Sequence, residues 1–258
     1  EKEKHLIISA MNTYTIEICA AGIQSAFAAR DGGAARIELC DNLYEGGTTP
    51  SYAAIKTTRE NLKIGLNVMI RPRGSDFCYS ESEFAIMKED IRICKELGAD
   101  GVVLGILHPD GKVDTGRTAQ LVQLAKPMAV TFHRAFDMTP DPFEALEDII
   151  KTGADHLLTA GQKNTVPEGV ELIAELVKRA GHRIIIMPGS GINEKNIAEI
   201  RDKTGAREFH LTARKPVQSR MTYRKEGIYM GGLREIPEFE MQVTDAARVK
   251  EMVKLVNG

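Results

Sequence analysis

The sequence predicts an α/β protein of one domain, a (β/α)₈ barrel, and three observations carry that prediction. Eight short β-branched runs alternate with helical patterns, their starts lie about 28 residues apart, and a Gly-Ala pair recurs four times just ahead of a strand. A strand, a crossover helix and two loops need about that length. An unbroken series of eight such units favours a closed barrel over the alternative, a doubly wound open sheet of eight strands.

The strands are expected over 15–18, 36–39, 65–70, 101–104, 128–132, 156–158, 183–187 and 208–211. Between them, Phe84, Met87, Ile91, Cys94 and Leu97 step by three or four, as do Phe143, Leu146, Ile149 and Ile150, and Val170, Ile173, Ala174 and Val177. Each set gives a helix one apolar stripe to lay on the sheet. Gly33-Ala34, Gly98-Ala99, Gly153-Ala154 and Gly205-Ala206 are placed where a helix ends on a left-handed residue and turns into β. Asp141-Pro142 marks a helix start, with Asp as cap and Pro in the first turn, where its missing N–H costs nothing. Residues 213–243, with Gly227, Gly231-Gly232 and Pro237, read as a long irregular excursion before a last helix over 244–256. Residues 1–10 read as an N-terminal extension or tag remnant, and 11–258 as the barrel domain.

Composition excludes several classes. With 43% hydrophobic and 27% charged residues the 258-residue chain is globular, not disordered. A net charge of −2, from 34 basic and 36 acidic residues, gives no excess for holding nucleic acid or an anionic membrane, so neither is expected as a partner. Four scattered cysteines do not make a disulfide framework, and no apolar run is long enough to span a bilayer. A reducing, cytoplasmic setting is expected.

In such barrels the chemistry sits at the C-terminal ends of the strands. Ile16-Glu17-Ile18-Cys19 and Ile37-Glu38-Leu39-Cys40 repeat one pattern 21 residues apart. Alternation then sends Glu17, Cys19, Glu38 and Cys40 into the lumen, together with Asn67, Met69, Arg71, Thr131, His133, Glu208, His210 and Thr212. Buried carboxylates demand cationic partners. Either Arg71, Arg73 or Arg134 neutralise them structurally, or Glu17, Glu38, His133, Arg71, Arg134 and Asp137 form a catalytic or binding mouth. Cys19 and Cys40, on neighbouring strands, either hold one soft ion such as Cu(I) or pack as small hydrophobes. Cys94, on a helical stripe, belongs to the core, and Met69, Met128 and Met187 read as core rather than as copper ligands. The turn Gly189-Ser190-Gly191, with Thr212 and Arg214 after the eighth strand, is either an anion cradle or a tight turn needing positive φ.

Several segments, in order along 14–224, resemble the copper homeostasis protein CutC family. They are Ile16 to Cys19, Arg36 to Cys40 followed by Glu45 to Ser51, Met69 to Gly74 with Asp76-Phe77, Asp100 to Gly105, Thr131 to Asp137, Leu158 to Gln162 and Met187 to Ile192. The resemblance implies a barrel, a cytoplasmic location, a homo-oligomer (dimer or tetramer), a role in copper tolerance, and Cys19 and Cys40 as a Cu(I) site. The rival function is an enzyme acting on a small anionic or sugar-like metabolite, with Glu38 or Glu17 and His133 moving protons, Arg71 and Arg134 binding an anionic group, and the 189–191 turn holding phosphate.

Overall fold

A computed structural model describes residues 14–230 and 235–258, so the proposed extension over 1–10 lies outside the described residues. The chain runs β1 (Thr15–Ala20), α1 (Ile23–Asp31), β2 (Arg36–Leu39), α2 (Tyr52–Asn61), β3 (Gly65–Met69), α3 (Glu81–Glu96), β4 (Gly101–Leu104), α4 (Thr115–Ala125), β5 (Ala129–Phe132), α5 (Pro142–Thr152), β6 (His156–Thr159), α6 (Val166–Ala180), β7 (Ile185–Pro188), α7 (Ile197–Thr204) and β8 (Glu208–Leu211). β9 (Arg214–Gln218), β10 (Glu240–Thr244) and α8 (Ala246–Asn257) follow.

Hydrogen bonding orders the sheet β7-β6-β5-β4-β3-β2-β1-β8, with every neighbour parallel, and a parallel bridge between Gly189 and His210 joins the two outer strands. Consecutive order with closure is a (β/α)₈ barrel. A doubly wound sheet would reverse direction at a switch point, and none occurs here.

Period 2 divides each strand. Ile16 and Ile18, Ile37 and Leu39, Leu66 and Val68, Val102 and Leu104, and Val130 and Phe132 are buried in one cluster with the helices, while their alternates line the lumen. Full burial of a side chain such as Phe132 or Ile37 contributes about 1.5–3 kcal/mol.

The helix punctuation is as expected. Asp141 accepts from the N–H groups of Phe143 and Glu144 ahead of Pro142, and Gly33, Gly98, Gly153 and Gly205 all have φ between 68° and 88°. On α6 the buried stripe is Val166, Gly169, Ile173, Leu176 and Ala180, which keeps Ile173 but is rotated from the set anticipated. Gly169 is the reason. It lies against the turn at Gly161, where any side chain would strike the Ala160 carbonyl, and this contact sets which face of α6 meets the barrel.

The segment 213–243 is not wholly irregular. β9 and β10 pair antiparallel, Arg214 opposite Thr244 through Gln218 opposite Glu240. Most of their residues are exposed, so no apolar alternation announced them. The last helix starts at Ala246, after a cap in which Asp245 accepts from the N–H groups of Ala247 and Arg248.

Candidate functional site at the barrel mouth

A cavity of about 470 Å³ opens at the C-terminal ends of the strands. Of the residues singled out from sequence, Cys19, Glu38, Arg71, His133, Arg134, Asp137, Gly189, Ser190, Gly191, Thr212 and Arg214 line it. Glu17 and Cys40 do not. Glu17 lies deeper, two residues before Cys19 on β1, and Cys40 is buried behind the wall against Met69 and Gly47.

Strand register brings the groups together. Cys19 pairs across β1 and β2 with Glu38, and Glu17 lies opposite Arg36 on one side and His210 on the other. The sulfurs of Cys19 and Cys40 are 3.8 Å apart, and the Cys40 thiol donates to Glu38 Oε2 at 3.2 Å. Cys19, Glu38 and Cys40 can present ligand atoms within 4.8 Å of one another, as can Glu17, Glu38 and His210.

Beneath the thiols the charge is compensated, but not by the residues anticipated. Arg36 Nε donates to Glu17 Oε2 at 2.6 Å, Asn67 Nδ2 to the same oxygen at 2.8 Å, and His210 Nδ1 lies 2.8 Å from Glu17 Oε1. Arg36 also bridges to Glu208, which faces His156. Arg71, by contrast, donates to the carbonyls of Glu45, Gly47 and Ser75, and its guanidinium lies over the Phe77 ring. Arg73 pairs with Asp76 and Glu83, and Arg134 with Asp137. Asp137 further accepts from Thr159 Oγ1 and from the N–H groups of Ala160 and Gln162, which ties the end of β6 to the loop after β5.

These contacts set protonation. Burial opposes charge on Glu17, yet His210 and Arg36 outweigh it and hold the carboxyl down at about 2. Glu38 has less help, and burial pushes it up to about 8. His210 is raised well above its ordinary value, because Glu38, Cys19 and Glu17 outweigh its burial. The hydrogen bond between the two cysteines depresses Cys19 and raises Cys40. His133 behaves oppositely. Burial and the nearby Arg71 charge lower it to about 3, leaving a neutral imidazole whose Nδ1 accepts from the Ala135 N–H and whose buried Nε2 has no partner among the described residues.

Cys94 is buried on α3 and pushed up to about 12 by burial, as a core thiol should be, while Cys78 is exposed. In the 189–191 turn, Ser190 and Gly191 take φ of 97° and 74°, and Ser190 Oγ donates to the Asn164 carbonyl. From sequence alone His210 belongs to the lumen but not to the candidate site, and Arg36 is only the start of a strand. The signal for both was lateral: each lies opposite Glu17, which becomes visible only with the pairing of β1, β2 and β8.

Fold and site together define a (β/α)₈ barrel with a buried cluster of thiols, carboxylates and imidazole at its C-terminal mouth. Residues 14–215 match the model of the CutC family, and the chain belongs to that family. A CutC family protein of Parabacteroides distasonis is 52% identical over 239 residues, covering 92% of this chain and 98% of the relative. The copper homeostasis protein cutC homolog of Mus musculus is 44% identical over 241 residues, covering 93% and 89%. The crystal structure of the CutC protein of Streptococcus agalactiae superimposes with a TM-score of 0.74 at 37% identity, covering 77% of this chain and 98% of that one. A thiamine phosphate pyrophosphorylase of Pyrococcus furiosus, at 17% identity and TM-score 0.57, shares the fold. Among the described residues no helix is long and apolar enough to cross a membrane.

Proposed function

We propose that this protein serves copper homeostasis in the cytoplasm by taking up Cu(I) between Cys19 and Cys40, with copper as its cargo. The observation that carries the proposal is the pair of buried sulfurs 3.8 Å apart beside the carboxylate of Glu38. Two thiols form a soft donor set, and the depression of Cys19 eases the loss of its proton to a soft cation. Glu38 Oε1 is buried with no partner among the described residues, so the cluster has donor capacity to spare. The copper homeostasis names of the mouse and human relatives support the same assignment. Uptake displaces thiol protons, so affinity falls as pH drops.

The test is a Cu(I) competition titration of the protein and its Cys19→Ser and Cys40→Ser variants. One equivalent bound by the parent and strong weakening in both variants is expected; equal stoichiometry and affinity in all three would overturn the proposal. Self-association as a dimer or tetramer belongs to the same proposal, and light scattering coupled to gel filtration measures it.

A second function is favoured by one separate observation, the size and lining of the cavity. About 470 Å³ exceeds what an ion needs, and its wall carries Arg71, the neutral His133 and the 189–191 turn with Thr212 and Arg214. This suits an enzyme acting on a small anionic or sugar-like metabolite, with Glu38 as base, since Glu17 does not reach the cavity, and Arg134 beside Asp137 shaping the entrance. Ligand-observed NMR with ribose 5-phosphate and inorganic phosphate tests it, and no saturable binding of either removes it.

A further inference from the structure

We propose that the cavity takes a phosphomonoester of a small polyhydroxylated compound, with its phosphate held between Arg214, Thr212 and the backbone N–H groups of 190–192. Its hydroxylated end then lies against His133 and Glu38. The inference rests on the second, small-metabolite reading and narrows it: the ligand carries a phosphate, and each of its ends has a place.

The ends of β7 and β8 present donors without acceptors. In the turn after β7 the carbonyls are already used, since that of Ser190 accepts from the Val166 N–H and that of Gly191 from Asn196 Nδ2 at 2.9 Å. The N–H groups of Ser190, Gly191 and Ile192 have no acceptor among the described residues, and the Thr212 hydroxyl has no partner there either. Arg214 lines the same cavity, and among the described residues its guanidinium has neither an ion pair nor a hydrogen bond. The other cations of the wall are committed: Arg71 spends both terminal amino groups on carbonyls, Arg134 pairs with Asp137, and His210 lies between Glu17 and Glu38. Lys215 takes Asp245 and Arg248 takes Glu194, so the acids beside Arg214 are engaged elsewhere. Its backbone is nonetheless fixed, opposite Thr244 in the β9–β10 ladder and with its carbonyl accepting from Arg248 Nη1.

The number of donors selects phosphate. Three N–H groups, a hydroxyl and a guanidinium exceed what the two oxygens of a carboxylate take up, and they match the three peripheral oxygens of a phosphomonoester, which a guanidinium can grip with two parallel bonds. Two buried side chains describe the rest of the ligand. His133 Nδ1 accepts from the Ala135 N–H at 3.2 Å, so the neutral ring carries its proton on Nε2, and that donor has no acceptor among the described residues; Glu38 Oε1 likewise has no partner. Both residues line the cavity, although only 4% and 2% exposed. They stand just past β5 and on β2, away from β7 and β8, so one ligand spans the mouth. Hydroxyl groups answer both, because each donates one hydrogen bond and accepts others. At about 470 Å³ the cavity is sized for a small metabolite.

Isothermal titration calorimetry of the full chain with ribose 5-phosphate, inorganic phosphate and ribose tests the assignment, in the parent and in the Arg214→Gln, Thr212→Val and His133→Gln variants. The two phosphate compounds are expected to compete for one site, and ribose to bind at least about 100-fold more weakly than its phosphate. Arg214→Gln weakens both phosphate compounds by about 10- to 100-fold and Thr212→Val by about 5-fold, whereas His133→Gln weakens ribose 5-phosphate by about 10-fold and leaves inorganic phosphate unchanged. Ribose bound as tightly as its phosphate, or phosphate affinity unchanged in both Arg214→Gln and Thr212→Val, overturns this inference and leaves the small-metabolite reading standing. Ribose 5-phosphate affinity unchanged in His133→Gln overturns the place given to the hydroxylated end. No saturable binding of any of the three compounds removes the small-metabolite reading as well. Comparison of the three in the parent decides even where a variant fails to fold.

Discussion

Replacing Glu17 by Gln tests the ionic layer under the thiols. The carboxylate is fully buried and holds Arg36 at 2.6 Å, Asn67 at 2.8 Å and His210 at 2.8 Å. Gln keeps the shape and removes the charge, so Arg36 retains only Glu208 and the His210 imidazole loses its anion. Removing one partner of a buried pair costs about 3–5 kcal/mol. Titration gives a similar figure independently: a carboxyl held at about 2 against an ordinary value of 4.5 corresponds to about 3 kcal/mol. Because the folded value is the lower one, this stability is complete above pH 4.5 and is lost as pH falls through the folded value near 2. For a chain of this size the loss at neutral pH lowers Tm by roughly 6–20 °C. Chemical unfolding of parent and variant at pH 7, repeated between pH 5 and 2, measures both effects. A change below about 1 kcal/mol at pH 7, or an acid limb as steep in the variant as in the parent, would refute the account of Glu17 as the anion of this network.

Other expectations follow from the same contacts. His133, held neutral down to about 3 in the fold against 6.5 for the free group, contributes stability that is complete above pH 6.5 and declines as pH drops toward 3. Its His133→Gln variant should show a flatter profile between those values, and superimposable profiles would count against a buried neutral imidazole. Gly169→Ala, which in an ordinary helix interior stabilises by up to about 1 kcal/mol, should instead destabilise by 1–3 kcal/mol or more. Its Cβ would strike the Ala160 carbonyl oxygen, and a Tm equal to or above the parent's would show that α6 packs differently. Cys78→Ser and Cys94→Ala, at an exposed loop thiol and a buried helical one, should leave Cu(I) stoichiometry unchanged, and a lost equivalent in either would relocate the site.

Alternation along the strands made the lumen legible: Glu17, Glu38, Asn67, Arg71, Thr131, His133 and His210 are all buried where a period of 2 requires. Their partners were not, because period 2 fixes which way a side chain points but not what lies beside it. Arg36 meets Glu17 through the register of β1 on β2, and His210 meets it across 193 residues of chain. Arg71 shows the converse. Its type and place suggested a counter-ion, but the positive φ of Gly46 and Gly47 turns the chain around it, and carbonyls of that loop take its donors. Such a local competitor for a guanidinium has no hydrophobic signature.

Glu17 joins the two halves of the mouth. One of its oxygens belongs to the structural ion network of Arg36 and Asn67, and the other to His210, which faces the thiols and Glu38. A change to either half therefore reaches the other through a single rigid carboxylate. Arg36→Met and Cys19→Ser, which share no direct contact, should couple in a double-mutant cycle of stability by about 0.5 kcal/mol or more, and the coupling should vanish in a Glu17→Gln background. Additive effects in the Glu17 background would mean that the cysteine cluster and the ion network beneath it are independent, and that the histidine takes its orientation from the closing bridge at Gly189 alone.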